Sequence, residues 1–205
     1  MPSFTEDMLK RCIDIDYAEM NQLSNRLCDL MDSSDMIHLT KDDGTDLTFS
    51  VKGRKGHGRH GGIFHKKGEY GNLPDGEAFI APKEGTANGV YYIDGSVARG
   101  GMVDKPIKVT VKDGYAVPVS GGESARQLKK DLDSVGKDAF NIAEFGIGTN
   151  PKAIITGNML EDEKVKGTCH IAFGNNTGFD GIIGVPLHVD CLIKRPTFHI
   201  GDTLV

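Results

Sequence analysis

The polar and apolar positions of this chain change period several times, and each change marks an element. Ser3-Phe4-Thr5-Glu6 has the form of a capping box, which predicts a helix starting near Phe4. Asp16 followed by Glu19 repeats the signal. Met20, Leu23, Leu27, Leu30 and Met31 then recur at helical spacing as one apolar stripe, which reads as core packing. From Ile37 the period falls to two. Ile37 and Leu39 alternate with polar neighbours, Asp42-Asp43-Gly44 turns the chain, and Leu47, Phe49 and Val51 alternate again, as in a β-hairpin. Further strands are predicted over 77–81, 90–94 and 107–112, and Asp113-Gly114 turns the last of these into 115–119. Ser124 with Gln127 opens a helix whose apolar face is Ala125, Leu128, Leu132 and Val135. A mostly apolar strand over 140–145 carries Glu144 at its end, before a turn beginning Gly146-Ile147-Gly148. Asn158 with Glu161 caps a short helix that Gly167 ends, and strands over 168–173, 187–193 and 197–200 complete the chain. Strands in runs with segregated helices predict an α+β fold with a mainly antiparallel sheet, in a single domain over 1–205.

Composition narrows the function more than the fold. The chain has 205 residues, enough to bury a core without disulfides or metal staples. A hydrophobic share of 38% against 26% charged argues against disorder, and a net charge of -5 argues against a general nucleic-acid binder. The 27 glycines have no period of three, so they mark turns and shaped loops rather than a collagen repeat. No apolar run is long enough to span a membrane, and the stretch from Met1 to Asp16 lacks a signal-peptide apolar segment. Cys12, Cys28, Cys169 and Cys191 have no CxxC spacing and read as reduced thiols of a cytoplasmic protein.

The segment 53–72 stands apart. It holds Arg54, Lys55, Arg59, Lys66 and Lys67, the histidines His57, His60 and His65, and one acid, Glu69. Its length predicts a functional or a disordered loop: a solvated segment, a basic lip that attracts a carboxylate, or, more weakly from the spacing, a metal-binding histidine group.

The candidate chemistry lies in the last third. In the strand at 187–193, Leu187, Val189, Cys191 and Ile193 share an apolar face, while His188 and Asp190 share the other. Upstream, Cys169, Ile171 and Phe173 form an apolar face with His170 opposite. His170, His188 and Asp190 are either polar residues of a wetted sheet face or ligands of a divalent first-row metal, for which imidazole and carboxylate are standard donors. Glu144 and Glu77 are further candidates, although acids beside glycine turns are often turn residues. The chain has no Walker loop, HExxH or GxSxG; Gly146-Ile147-Gly148 lacks the third glycine of a dinucleotide loop and meets Pro151. Cys169 and Cys191 face away from the histidines, against a cysteine nucleophile.

At these residues the chain resembles a known family. Asn72-Leu73-Pro74-Asp75-Gly76-Glu77-Ala78-Phe79-Ile80-Ala81-Pro82 is similar to the N-hydrophobic-P…E-V-F-T-A-P block of the thermophilic-type metallo-aminopeptidases, the aminopeptidase T and aminopeptidase S group. Cys169-His170-Ile171-Ala172-Phe173-Gly174 resembles the C-H-I-A-x-G block of that family, His188-Val189-Asp190 its H-x-D pair, and Glu144 stands at its second metal-binding glutamate. The resemblance runs in order from Asn72 to Asp190. It implies an aminopeptidase T C-terminal-domain-like fold, with the family's preceding α/β domain absent. It also implies a site for two divalent ions (zinc, cobalt or manganese) carried by Glu77, Glu144, His170, His188 and Asp190. The implied activity is that of a leucyl or general aminopeptidase acting on small peptides, with Glu144 orienting the attacking water or accepting its proton.

Where the family has a tyrosine that serves as ligand and catalytic group, seven residues after the first histidine, this chain has Thr177. The shorter hydroxyl implies a weaker second metal site. The same superfamily is similar to ring-cleaving dihydroxypyridine dioxygenases. The alternative is therefore a mononuclear non-haem iron(II) site on His170, His188 and Asp190, acting on an anionic aromatic small molecule. A second alternative is an inactive or partner-dependent domain. The expected partners are the substrate and a second copy of the chain, or a chain supplying the missing domain; neither nucleic acid nor membrane is expected.

Overall fold

The structure is a computed structural model and describes residues 3–205; Met1 and Pro2, the start of the charged N-terminal stretch, lie outside the described residues. In chain order the elements are α1 (Glu6–Cys12), α2 (Tyr17–Ser33), β1 (Met36–Lys41), β2 (Thr45–Ser50), β3 (Glu77–Ile80), β4 (Asn88–Ile93), β5 (Ser96–Val97), β6 (Gly101–Met102), β7 (Ile107–Lys112), β8 (Tyr115–Ser120) and α3 (Glu123–Val135). A 3-10 turn (Lys137–Phe140), β9 (Ile142–Gly148), α4 (Met159–Asp162), β10 (Thr168–Gly174), β11 (His188–Lys194), β12 (Thr197–Ile200) and β13 (Thr203–Leu204) follow.

The strands form two antiparallel sheets, ordered β13-β12-β1-β2-β4-β7-β8 and β3-β9-β10-β11-β5-β6. Their apolar faces pack on one another, as the period-two pattern requires. Ile37, Leu39, Leu47, Phe49 and Tyr91 from the first sheet meet Phe145, Ile147, Cys169, Ile171, Phe173, Cys191 and Ile193 from the second. Phe145 is central, with its ring 5.4 Å from Phe49 and 5.6 Å from Phe198. Burying each such side chain is worth roughly 1.5–3 kcal/mol, so this interface fixes which face of the second sheet points outward. That outer face carries Glu77, Glu144, His170, His188 and Asp190. The fold is the expected α+β arrangement, and no helix among the described residues is long and apolar enough to cross a membrane.

Four local expectations are corrected. The first helix is capped by Thr5, whose side chain accepts from the Met8 amide, so it starts two residues later than the Ser3 box implies. Ser124 lies inside α3 rather than at its start. The free amides of Glu123 and Ser124 are bonded by Asp104, from the segment before β7, at 3.0 and 2.9 Å. Asn158 is the N-cap of α4 by backbone but donates its side chain to the Ser3 carbonyl, and α4 ends well before Gly167. Phe140 belongs to the 3-10 turn, and β9 runs on through Gly146 and Gly148, so Glu144 sits within the strand rather than at its end.

The 53–72 segment docks on α2. The Gly56 amide donates to Asp32 at 2.6 Å, Arg59 pairs with Asp29 and Asp32, and the Asn21 side chain donates to the Gly61 carbonyl. Lys55 also reaches Asp32, and Arg54 pairs with Glu84. His57 exchanges backbone hydrogen bonds with Phe79 and so covers the free edge of β3. Three of the five cations of this loop are thus occupied by acids.

Candidate metal centre

Adjacent strands of the second sheet bring the five predicted residues together. In register, Ala172 lies opposite Glu144 on one side and Asp190 on the other, so the middle of β10 is flanked by both acids. His170 Nε2 is 3.2 Å from Glu144 Oε1 and 3.5 Å from Glu77 Oε2. His188 Nε2 is 3.3 Å from Glu144 Oε2 and 3.2 Å from Asp190 Oδ1. The donors fall into two groups, Glu77-Glu144-His170 and Glu144-His188-Asp190, with ligand atoms within 4.8 Å of one another in each. Glu144 belongs to both, one oxygen toward each histidine. Among the described residues, His57, His60 and His65 join neither group.

Supporting residues hold this arrangement. The Nδ1–H of His188 donates to the Asn175 carbonyl at 2.8 Å, which leaves Nε2 facing the carboxylates. Glu77 is gripped by Lys164, whose side chain is 0% exposed and whose Nζ lies 2.5 Å from Glu77 and 2.6 Å from Glu163. Gly146 leaves room beside it for the His170 ring. Phe179 packs edge-on to His188 at 5.8 Å and against Phe79 and His57, forming an aromatic wall beside the cluster.

The electrostatics call for added positive charge. With neutral imidazoles, Lys164 is the one cation paired with Glu77, Glu144, Glu163 or Asp190 among the described residues, and it reaches only Glu77 and Glu163. Buried carboxylates at such spacing are stable only with further cations between them. In the absence of an ion, protons take that place. Burial alone would lower His170, but its hydrogen bond to Glu144 and the charges of Glu77 and Asp190 raise it to about 9. His188 is likewise raised to about 11, against burial, by its bonds to Asp190 and Glu144. Burial would raise Glu144, and the two imidazoles outweigh it and hold the carboxyl down to about 2. Glu77 is pushed up to about 7 by burial, against the pull of Lys164. Two imidazole nitrogens converging with three carboxylates form a donor set that fits divalent first-row metals.

Other expected features resolve as follows. Thr177 is exposed, and its hydroxyl and amide both donate to Asn175 Oδ1 at 3.0 Å. The four cysteines are buried free thiols. Burial pushes Cys12 and Cys28 up to about 11, and Cys169 and Cys191 further, which leaves no thiolate nucleophile at neutral pH.

Sequence reasoning missed Lys164, Gly146, Asn175 and Phe179. Lys164 ends the run Glu161-Asp162-Glu163-Lys164, which reads as a solvated charged face. Gly146 was legible in principle, because Phe145 and Ile147 alternate with Glu144, Gly146 and Gly148 and place the glycines on the histidine face.

This is a two-sheet α+β domain with a carboxylate–imidazole centre on the outer face of one sheet, a class in which metal-dependent chemistry is expected. The chain belongs to the thermophilic metalloprotease (M29) family, whose model matches residues 15–180. That match takes in Glu77, Glu144 and His170 and stops before β11. Among solved structures, 2,5-dihydroxypyridine dioxygenase from Pseudomonas putida KT2440 is similar over 97% of this chain and 60% of its own, with a TM-score of 0.79 and 18% identity. Wild-type AmpT from Thermus thermophilus is similar over 89% of this chain and 50% of its own, with a TM-score of 0.73 and 23% identity. The chain thus spans 60% and 50% of these two structures, and at such identities the likeness establishes the fold. A comparison with curated proteins gives no match.

Proposed function

We propose that this chain forms the metal-binding unit of an aminopeptidase that releases N-terminal residues from peptides. The observation that carries the reading is the sharing of Glu144 between the two donor groups, the arrangement expected of a site for two ions. Glu77, Glu144 and His170 would hold one ion, and Glu144, His188 and Asp190 the other. When bound, divalent ions supply Lewis acidity for a scissile carbonyl and for a water nucleophile. The chain's own residues do the rest. Glu144, with one oxygen toward each donor group, is the candidate for orienting the attacking water or accepting its proton. Lys164 and Asn175 fix the orientations of Glu77 and His188. The His170 side chain is 1% exposed and that of His188 32%, so substrate approaches from the His188 and Asp190 side.

One observation favours a second reading. Thr177, at the position of the family's tyrosine, is exposed and bonds to Asn175 Oδ1 instead of joining either donor group. A single ion on His170, His188 and Asp190 would then be the working unit, a set suited to iron(II) and to ring-cleaving oxygenation of an anionic aromatic.

Metal content of protein purified without oxygen and chelators separates the two. About two zinc, cobalt or manganese ions per chain, with release of leucine from Leu-Gly restored by those ions after chelation, supports the peptidase. A single iron, with oxygen consumption on a dihydroxypyridine and no peptide hydrolysis under any divalent ion, overturns it in favour of the oxygenase.

A further inference from the structure

A cavity of about 690 Å³ opens beside the donor cluster, lined in part by Asp190, Glu163, Arg99, Asn72, Asn158 and Met159. Its size is that of a small-molecule or short-peptide site. Arg99 is held at this cavity by backbone. Val97 of β5 pairs with Cys191 of β11, the Ala98 amide donates to the Asp190 carbonyl at 2.9 Å, and the Gly100 amide closes a turn on the Val97 carbonyl at 2.9 Å. Arg99 is the third residue of that turn and has φ +66°, a left-handed conformation that glycine ordinarily fills. Arg195 shares this conformation, but Arg99 is the one that lines the cavity beside the donor cluster. Its guanidinium has no hydrogen bond or ion pair among the described residues. Arg54 and Arg59 of the basic loop, in contrast, are paired with acids.

We infer that Arg99 binds the free α-carboxylate of a short peptide whose other end reaches the donor cluster. This assignment rests on the peptidase reading for its substrate class, and it selects dipeptides and tripeptides with an unblocked C-terminus. The planar fork of arginine matches a carboxylate through two parallel hydrogen bonds, and among the described residues no other cation lines this cavity. An amide at the same position removes the charge and one acceptor.

The test compares Leu-Gly with its C-terminal amide on the zinc-loaded chain and on its Arg99→Ala, Arg99→Lys and Arg99→Gly variants. In parallel, calorimetry measures binding of the reduced-bond analogue of Leu-Gly, which cannot be hydrolysed, as acid and as amide. The expected result is that the unaltered chain prefers the acid by about tenfold in kcat/KM and in affinity. Arg99→Ala loses the preference through KM, weakening the acid far more than the amide, which loses one neutral hydrogen bond; Arg99→Lys keeps part of it. Arg99→Gly loses the preference and gains about 2–4 °C in Tm as the left-handed strain is relieved. An acid-to-amide ratio unchanged in Arg99→Ala, by hydrolysis or by binding, overturns the assignment. If no form hydrolyses peptides but the analogue's acid preference still depends on Arg99, the peptidase reading fails and the carboxylate site stands.

Discussion

The imidazole of His170 occupies the space that a side chain at Gly146 would need: a Cβ there would lie 2.1 Å from both Cε1 and Nε2 of the ring. The two residues are register partners on β9 and β10, so neither can shift without disturbing the sheet. Gly146 lies in a regular strand, so the obstacle to alanine is steric. Gly146→Ala is expected to turn His170 away from Glu77 and Glu144 while the sheet still forms. Zinc affinity should fall by roughly 10–100-fold, and stability by roughly 1–3 kcal/mol. Retention of full affinity, measured by competition with a chromogenic chelator, would mean that the His170 ring is not held as described.

Lys164 is buried between Glu77 and Glu163, and the paired acids raise its pKa further above the ordinary lysine value. A raised lysine stabilises fully below its unfolded value of 10.5, so Lys164 keeps its charge at every pH from 5 to 9 and it is its partner Glu77 that titrates there. Lys164→Met removes one partner of a buried pair and is expected to cost roughly 3–5 kcal/mol at pH 8. The cost should be smaller at pH 5, because Glu77, already raised, can then take a proton. Urea unfolding at the two pH values checks this. Equal losses would show that Glu77 does not respond to Lys164.

The parts of the site that could be read from the sequence were those set by strand alternation. His170, His188 and Asp190 stand opposite runs of apolar residues, and the fold buries those runs against the other sheet. Glu77 and Glu144 were placed by resemblance, and the position of Glu144 in its strand was misjudged because glycines 146 and 148 look like a turn. They are glycines because the His170 ring and the Val165 carbonyl press against the strand. Lys164 was hidden for a different reason: only the meeting of α4 with the second sheet makes that charged run internal. The cations of the 53–72 loop were counted correctly, but their partners Asp29, Asp32 and Glu84 lie on other elements. Partners so far apart in sequence leave no local pattern.

The cap of α3 is another such long-range contact. Asp104 accepts from the amides of Glu123 and Ser124, and these bonds lower its carboxyl to about 2. A depressed acid contributes stability above its unfolded value of 3.8 and loses it as the pH falls toward 2. Asp104→Ala is therefore expected to lower Tm by roughly 2–4 °C at pH 6. The gap between the variant and the unaltered chain should narrow as the pH drops below 4. A gap that stayed constant down to pH 2.5 would place the cap's contribution elsewhere.

The unligated centre has a pH dependence of its own, opposite in sign to that of Asp104. His170 and His188 are raised from 6.5 to about 9 and about 11 by their carboxylate partners. A raised histidine stabilises fully below its unfolded value, and the contribution is lost as pH rises through its folded value. Chelator-treated protein should therefore lose thermal stability steadily between pH 7 and pH 10. Glu77 adds to the trend at its lower end, since its raised carboxyl also favours the protonated folded state. Saturating zinc should flatten the profile, because metal-bound imidazole carries no proton on its ligating nitrogen. Zinc binding at pH 7 should also release protons, visible as a calorimetric heat that changes with the ionisation enthalpy of the buffer. The paired variant His170→Ala/His188→Ala should show neither the slope nor the proton release. A metal-free protein whose Tm holds or rises from pH 7 to pH 10 would show that protons do not occupy the place assigned here to divalent ions.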